Sequence, residues 1–251
     1  MPRSVKRWLK GWHRRRQATR LARYQPPMAR QNWAARCVLA TAIFLQGLVL
    51  ALSINACTTG PAHAAPGAAT DATPRVPPAA QRYSLKLRQA AHTGWGLDAP
   101  VAAFAAQVHQ ESQWHPDARS PVGAAGLAQF MPATATWISG VYAAPGGAAP
   151  SNPTWALRQL VNYDHWLWLR IYDAADDCQR MAYTLSAYNG GLGWVYKRQK
   201  MGLEPGICLG ATCAINPGVS TSAQLENARY PHRILITVQP AYLGWGRGIA
   251  C

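Results

Sequence analysis

Residues 109–134 read HQESQWHPDARSPVGAAGLAQFMPAT, and this stretch decides the predicted fold and site. Glu111 stands near its start and is one of only 10 acidic residues among 251. Just upstream, Val101, Phe104 and Val108 recur at helical spacing. The pattern therefore predicts a helix whose inward face also carries Glu111 near its C-terminal end.

This position favours a protonated carboxyl on Glu111. Desolvation disfavours the charged form and so does the negative end of the helix dipole, so both raise the pKa of the side chain. A carboxylic acid that keeps its proton near neutral pH can donate it to a leaving oxygen, as the general acid of glycoside cleavage must. The alternative is a structural glutamate that pairs with a basic neighbour or is solvated at the helix end.

The rest of the folded region is predicted to be mainly α. Asp98 is the expected N-cap of the first helix, with Pro100 in its first turn. Two further helices are expected at about residues 154–172 and 177–189, the second ended by Gly190-Gly191. No stretch alternates in a way that demands a sheet, although a small hairpin among the C-terminal glycines stays open. One face of the 154–172 helix carries Leu157, Leu160, Val161, Trp168, Ile171 and Tyr172.

The N-terminal part of the chain has the composition of a membrane-targeted leader. Residues 1–36 form a basic tail with 11 of the 25 Lys and Arg residues. They precede CVLATAIFLQGLVLALSI, an apolar run of 18 residues that is long enough to cross a bilayer core of roughly 30 Å. Since positive flanks stay in the cytoplasm, the remainder is expected on the periplasmic side of a bacterial inner membrane.

Three fates of this membrane segment, residues 37–57, stay open. It is a retained single-pass anchor, a lipoprotein signal that places a lipid on Cys57 in LSINAC, or a signal peptide cleaved after AHA at residues 62–64. Residues 58–80 are rich in Pro, Ala, Gly and Thr, so they are predicted to be a flexible linker. The folded catalytic domain is then expected over residues 81–251.

Four cysteines lie in that domain, and an oxidising compartment would pair them. Three pairings are possible. Cys208 with Cys213 is the easiest closure, and Cys178 with Cys251 is its complement. No C-x-x-C pair or histidine cluster indicates a metal site, so neither a metal nor another cofactor is predicted.

The charge of the chain suggests a nucleic-acid partner only at first sight. The formal net charge is +15, but from residue 58 onward 14 basic residues face 10 acidic ones. The excess is concentrated in the tail beside the membrane segment, where it has a topological meaning. The sequence therefore predicts membrane attachment and no nucleic-acid binding.

Three motifs carry a resemblance to a known family. Residues 111–134 follow the pattern E-S-x-x-x-P-x-x-x-S-x-x-G-A-x-G-L-x-Q-x-M-P-x-T, residues 187–191 read AYNGG and residues 226–230 read ENARY. In this order the motifs resemble the soluble-lytic-transglycosylase family, glycoside hydrolase family 23, which is related to goose-type lysozyme. Trp114-His115 and Ala128 depart from the family pattern, which leaves the shape of the sugar subsites open.

The resemblance implies a lysozyme-like helical domain that cleaves peptidoglycan glycan strands. Glu111 would protonate the oxygen between N-acetylmuramic acid and N-acetylglucosamine. It would then deprotonate the 6-hydroxyl of the muramic acid, which closes a 1,6-anhydro ring without water. Only one protein carboxylate is needed, whereas hydrolytic glycosidases generally use two.

The resemblance also implies a set of substrate-binding residues. Ser120 and Gln129 would contact N-acetyl and neighbouring groups, Met131 would form an apolar wall, and the Tyr188 hydroxyl would reach Glu111 or the sugar. The structural alternatives are a turn hydroxyl, a surface amide, a core methionine and a structural hydrogen bond. Asn189 is also in this set, and its structural alternative is a helix cap. Glu226 would orient the site, and Tyr230 would line the cleft.

Two rival functions remain open on the same fold. A muramidase would use water, with Glu226 or Asp117 as its second carboxylate. A non-catalytic peptidoglycan-binding scaffold would keep the cleft without the reaction, and the intact Glu111-Ser112 pair argues against it. Local opening of the wall would suit a secretion, conjugation or phage apparatus. One or two tryptophans would serve as sugar-stacking platforms, with most of the others in the core.

Overall fold

A computed structural model describes residues 74–144 and 146–251 of the chain. The predicted basic tail and membrane segment lie outside these residues, as does the linker up to residue 73. No helix of the described ranges is long and apolar enough to cross a bilayer.

The described chain is mainly α-helical, as predicted. Between residues 74 and 251, apart from residue 145, it contains no β-strand, and isolated antiparallel bridges join Ala125 to Arg119 and to Phe130. The C-terminal glycines form no hairpin there, since Gln239–Trp245 is a 3-10 helix. The α-helices are α1 Ser84–Gly94, α2 Val101–Ser112, α3 Pro132–Val141, α4 Pro153–Trp168, α5 Asp177–Gly190, α6 Leu192–Met201 and α7 Thr221–His232.

Helix α2 is the centre of the core, and it is buried on every side rather than on one face. Each residue from Val101 to Val108 is buried, including the alanines that a one-face pattern would leave outside. A helix that is apolar all round is expected to be enclosed by neighbours. Here α1, the C-terminal segment Arg233–Val238 and the 3-10 helix Gln239–Trp245 pack against it.

The predicted cap of α2 is wrong. Pro100, not Asp98, is the N-cap residue, and it makes no side-chain capping bond. The Ala102 N–H instead donates to the carbonyl of Arg247 at 3.0 Å, while the Asp98 carboxylate forms an exposed ion pair with the Arg247 guanidinium at 3.1 Å. The C-terminal segment therefore supplies the cap from a distance that local spacing does not reveal.

Helix α4 is shorter than predicted. It begins after Asn152, whose side chain accepts from the N–H groups of Thr154 and Trp155, and it ends at Trp168 rather than near residue 172. Arg170 and Arg180 donate to carbonyls of its last turn, which satisfies groups that a longer helix would have paired. Past this end, Tyr172 is exposed.

Helix α5 and the disulfides match the sequence prediction closely. Asp176 caps α5 by accepting from the Gln179 N–H at 2.8 Å, and Gly191 follows the helix with φ 103°. Helical structure begins with a 3-10 turn at Pro78–Tyr83, slightly before the predicted start. Both predicted disulfides, Cys178 to Cys251 and Cys208 to Cys213, are confirmed.

Candidate active site

Glu111 lies where α2 leaves the core. Val108 is fully buried, whereas Glu111 is half-buried. The helix ends at Ser112 and is followed by Gln113, a left-handed residue with φ 50° whose N–H donates to the carbonyl of His109 at 2.9 Å. The adjoining Ser112 hydroxyl donates to the carbonyl of Leu127 at 2.9 Å, which ties the helix end to the following loop.

The carboxyl of Glu111 faces groups from three other helices. Tyr230 on α7 donates its phenolic hydrogen to Glu111 Oε1. Burial raises the pKa of Glu111, the Tyr230 hydrogen bond lowers it, and the charge of Glu226 raises it again, with a net pKa of about 7. Asp164 on α4 and Tyr188 on α5 also lie within electrostatic range of this carboxylate. Glu111 can therefore both hold and release a proton near neutral pH.

The loop after Glu111 is fixed by two of the predicted binding residues. Gln129 adopts φ 45°, and its Nε2 donates to the carbonyls of Ala118 at 3.0 Å and Gly126 at 2.9 Å. The Ser120 hydroxyl accepts from the Ala124 N–H at 2.9 Å. Ser120 thus makes the turn contact that was its structural alternative, whereas Gln129 is not a surface amide but is bonded to the loop backbone; the contacts of both with sugar stay predictions. Met131 is half-buried and directly precedes α3.

Gly126 gives this loop its tightest approach to another segment. Its φ is +77°, and a Cβ placed on it would lie 1.8 Å from the carbonyl oxygen of Pro150. The crowding therefore comes from protein backbone and not from space reserved for a sugar. Gly123 also has a positive φ, +90°, but open space surrounds it.

Tyr188, expected to reach Glu111 or the sugar, makes the structural hydrogen bond that was its alternative. The Tyr188 hydroxyl donates to the carbonyl of Ala128 at 2.7 Å, so it fastens α5 to the loop. The phenol on Glu111 comes instead from Tyr230, which was expected only to line the cleft. Both phenols have pKa values well above their usual range, mainly because of burial.

Asn189 and Glu226 meet beside this centre. Asn189 accepts from Asn227 Nδ2 at 2.8 Å and donates to Glu226 Oε1 at 3.5 Å. Glu226 itself is exposed on α7. The five residues of the ENARY motif thus present one carboxylate, one amide and one phenol toward α5 and Glu111.

Sequence reasoning missed a second carboxyl in the core. Asp164 is fully buried on α4, and its Oδ1 accepts from Gln107 Nε2 at 3.4 Å. Burial holds the pKa of Asp164 well above its usual range, opposed by the Gln107 bond and reinforced by the Glu111 charge. The only sequence signal was an acid inside the apolar and aromatic run LVNYDHWLW.

The tryptophans divide as expected between core and partly accessible positions. Trp114 is fully buried, and its Nε1 donates to the Tyr242 hydroxyl at 2.7 Å. The remaining buried members are Trp137, Trp155, Trp166 and Trp245. Those with partial exposure are Trp95, Trp168 and Trp194, and sugar stacking on any of them stays a prediction.

The segment that carries Glu111 is similar to a known protein family. Residues 87–202 match the family described as "Transglycosylase SLT domain". These residues are similar to that family, and we call them the SLT domain. The SLT domain thus includes Glu111, the loop that follows it and the AYNGG motif, while the ENARY motif lies beyond its last matched residue.

Several curated proteins are similar to the SLT domain. Membrane-bound lytic murein transglycosylase F of Shewanella pealeana is 32% identical over 104 residues, 41% of this chain and 20% of that protein. The same-named protein of Pasteurella multocida is 31% identical over 128 residues, which cover 51% of this chain and 22% of that protein. The soluble lytic murein transglycosylase of Escherichia coli is 31% identical over 103 residues, 40% and 15%. The matches therefore span between 15% and 22% of the length of these relatives.

A solved structure shares the fold. The 70 kDa soluble lytic transglycosylase of Escherichia coli superposes with a TM-score of 0.51 and 23% identity, over 66% of this chain and 25% of that one. At this identity the likeness shows the fold alone.

Proposed function

We propose that the SLT domain is a lytic transglycosylase that cleaves the β-1,4 bond between N-acetylmuramic acid and N-acetylglucosamine in peptidoglycan. The observation that carries the proposal is a half-buried Glu111 with a pKa of about 7, held by Tyr230 within the SLT sequence pattern. The names of the relatives support murein as the substrate class.

In the proposed reaction Glu111 acts twice. It first gives its proton to the bridging oxygen while the bond between that oxygen and the anomeric carbon of the muramic acid breaks. The 6-hydroxyl of the same sugar then attacks the anomeric carbon, and its proton returns to Glu111. No water is consumed, and the carboxyl ends in its starting state.

The environment of Glu111 suits both steps. Burial favours the neutral acid that the first step needs, and the Tyr230 phenol stabilises the carboxylate that the first step leaves behind. Asp117 is exposed on the loop after α2, so it has no part in this one-carboxylate route.

Product analysis on purified peptidoglycan sacculi tests the proposal. The wild-type chain should release muropeptides with 1,6-anhydro ends, each one water lighter in mass spectra than a hydrolytic product. Glu111→Gln should lower the rate by a factor of about 10² or more, the typical effect of removing a general acid. Asp117→Asn is the matched control and should leave the rate unchanged.

A different result would select a rival function. Reducing ends in the digest, with Glu226→Gln as inactive as Glu111→Gln, would identify a muramidase that uses water. Binding to sacculi with no released product from the wild type would identify a scaffold.

We also propose that the domain works on the periplasmic side, attached through residues 37–57. The arginine-rich tail before the apolar run and two disulfides in the described domain support this location. A phosphatase that folds only after export, fused after Cys251, should be active. Lipid labelling that Cys57→Ser abolishes would identify the lipoprotein fate, and a phosphatase inactive in intact cells would exclude export.

A further inference from the structure

Arg198 on α6 is a buried cation without a carboxylate partner among the described residues. Only 2% of its surface is exposed. Its guanidinium donates to the Ile215 carbonyl at 3.0 Å, to Gln224 Oε1 at 2.7 Å and to Ser186 Oγ at 3.4 Å, all neutral oxygens. Burial lowers the pKa of Arg198 to about 10, so the side chain stays charged at neutral pH. Burying an unpaired charge costs free energy, which calls for a reason.

The hydrogen bonds of Arg198 continue toward the candidate site. The Ser186 hydroxyl donates to Asn227 Oδ1 at 2.7 Å, and Asn227 Nδ2 donates to Asn189 Oδ1 at 2.8 Å. Asn189 Nδ2 then donates to Glu226 Oε1 at 3.5 Å. Every donor in this chain points away from the guanidinium and toward the carboxylate, an arrangement in which neighbouring bonds polarise one another. We call these five residues the Arg198 relay.

The relay acts on one face of α7. Gln224, Asn227 and Tyr230 follow one another at intervals of three residues, so they share a helix face, and all three are buried. Arg198 holds Gln224 directly and Asn227 through Ser186. The third residue of the face, Tyr230, donates to Glu111. When α7 is placed so that Arg198 has its hydrogen-bond acceptors, Tyr230 is therefore also placed to donate to Glu111.

We infer that Arg198 is a positioning residue for the proposed reaction, which holds α7 through Gln224 and Asn227 so that Tyr230 meets Glu111. The inference rests on the proposed function for its catalytic meaning, but the contact it explains is independent of activity. Arginine suits the task because its rigid fork reaches several acceptors at once, which a lysine ammonium does not do in the same geometry.

The test measures the pKa of Glu111 directly, by carbon NMR of the labelled carboxyl group, beside the rate on sacculi. Tyr230→Phe removes a hydrogen bond to the charged carboxylate and should raise the pKa of Glu111 by about one pH unit. Arg198→Met should raise it in the same direction and by a similar amount. The double variant should add nothing beyond Tyr230→Phe alone, because both changes remove the same contact.

The other groups that act electrostatically on Glu111 are not substituted in these variants, and only Glu226 shares α7 with Tyr230 and would move with it. They are Glu226 on α7, Asp164 on α4 and Tyr188 on α5.

Arg180→Met is the matched control. Arg180 also donates to a backbone carbonyl, that of Trp168, and lies over the Trp168 ring, but it has no bond to α7. It should leave the pKa of Glu111 unchanged. Ser186→Ala is a second test that removes fewer hydrogen bonds of the relay, for use if Arg198→Met does not fold. It should also raise the pKa of Glu111, by a smaller amount.

The outcomes separate this inference from the proposed function. The inference would be overturned if folded Arg198→Met or Ser186→Ala kept the wild-type pKa of Glu111, or if the rise in the double variant exceeded that of Tyr230→Phe. Anhydro products from the wild type would still support the proposed enzyme in that case. A wild type without anhydro products would overturn the proposed function, and the NMR result would still decide whether Arg198 places Tyr230.

Discussion

Tyr230 and Glu111 are joined by a hydrogen bond across 119 residues of sequence. The bond connects the C-terminal end of α2 with the buried face of α7. The bond lowers the pKa of Glu111 whereas burial raises it, because a donated hydrogen bond favours the charged carboxylate while desolvation disfavours it. The balance leaves Glu111 with a pKa of about 7, where giving and regaining a proton are both accessible.

Tyr230→Phe should move the alkaline limb of the pH–rate profile to higher pH. Without the phenol the charged form of Glu111 loses its donor, so the acid stays protonated to a higher pH. We expect a displacement of about one pH unit. Tyr188→Phe is the control, because the Tyr188 hydroxyl donates to the Ala128 carbonyl and should not set this limb. An identical limb in Tyr230→Phe and wild type would contradict the assigned contact.

Asp164→Asn should make the protein more stable than wild type at pH 8 and similar in stability well below pH 4. The pKa of Asp164 is raised in the folded state, so the wild type loses stability as pH rises above the unfolded value of 3.8. Asparagine has no proton to retain, and it can exchange hydrogen bonds with Gln107 in the same place. Urea unfolding of both proteins across this pH range measures the difference.

The atoms around Asp164 explain why this substitution should be tolerated. Asp164 Oδ2 and Gln107 Oε1 are both buried without a hydrogen-bond partner among the described residues. A protonated Asp164, or an asparagine amide in its place, would bring a hydrogen-bond donor to this buried pair. A free energy of unfolding that falls equally at pH 8 and well below pH 4 in Asp164→Asn would mean that the carboxyl group itself is required.

Local sequence pattern was sufficient for the features that depend on near neighbours. The position of Glu111 near the end of α2, the extent of α5 and the stop at Gly190-Gly191 follow from helical spacing and capping rules. The disulfide pairs followed from even cysteine number and the short separation of Cys208 and Cys213. Each of these signals is contained within a few residues or in the cysteine count.

Features decided by distant segments were not predicted. The enclosure of α2 depends on C-terminal segments, and the cap of that helix comes from Arg247. Tyr188 was expected to reach Glu111 or the sugar, but the phenol that bonds Glu111 belongs to Tyr230, because spacing cannot say which of two phenols reaches a carboxyl after folding. Arg198 gave no signal that distinguishes a buried polar residue from an exposed one on its helix, and for Asp164 the only signal was the apolar and aromatic run around it.

Gly126→Ala should be much more destabilising than Gly123→Ala. Both glycines have a positive φ, so alanine costs about 1–2 kcal/mol at either position. Only at Gly126 would the new Cβ also meet a backbone atom, the Pro150 carbonyl oxygen at 1.8 Å. Urea denaturation of the two variants measures the difference in the free energy of unfolding. Equal decreases in the free energy of unfolding would show that the backbone at Pro150 moves away from Gly126 at no cost.

Gly190→Ala should disturb the Arg198 relay although its backbone conformation suits alanine. A Cβ on Gly190 would lie 2.7 Å from Asn227 Nδ2 and 3.2 Å from its Cγ, and Asn227 is held by hydrogen bonds to Ser186 and Asn189. We expect a loss of about 1–3 kcal/mol, the usual cost of overpacking, together with slower release of products from sacculi. Gly140→Ala is the control, because Gly140 lies in α3 with no atom within 4 Å of an added Cβ, and alanine should add roughly 0.5–1 kcal/mol of helix stability there. Denaturation midpoints and sacculus digestion, measured on both variants, make the comparison. A Gly190→Ala protein as stable and as active as Gly140→Ala would mean that Asn227 moves aside freely, and the relay would then not fix α7.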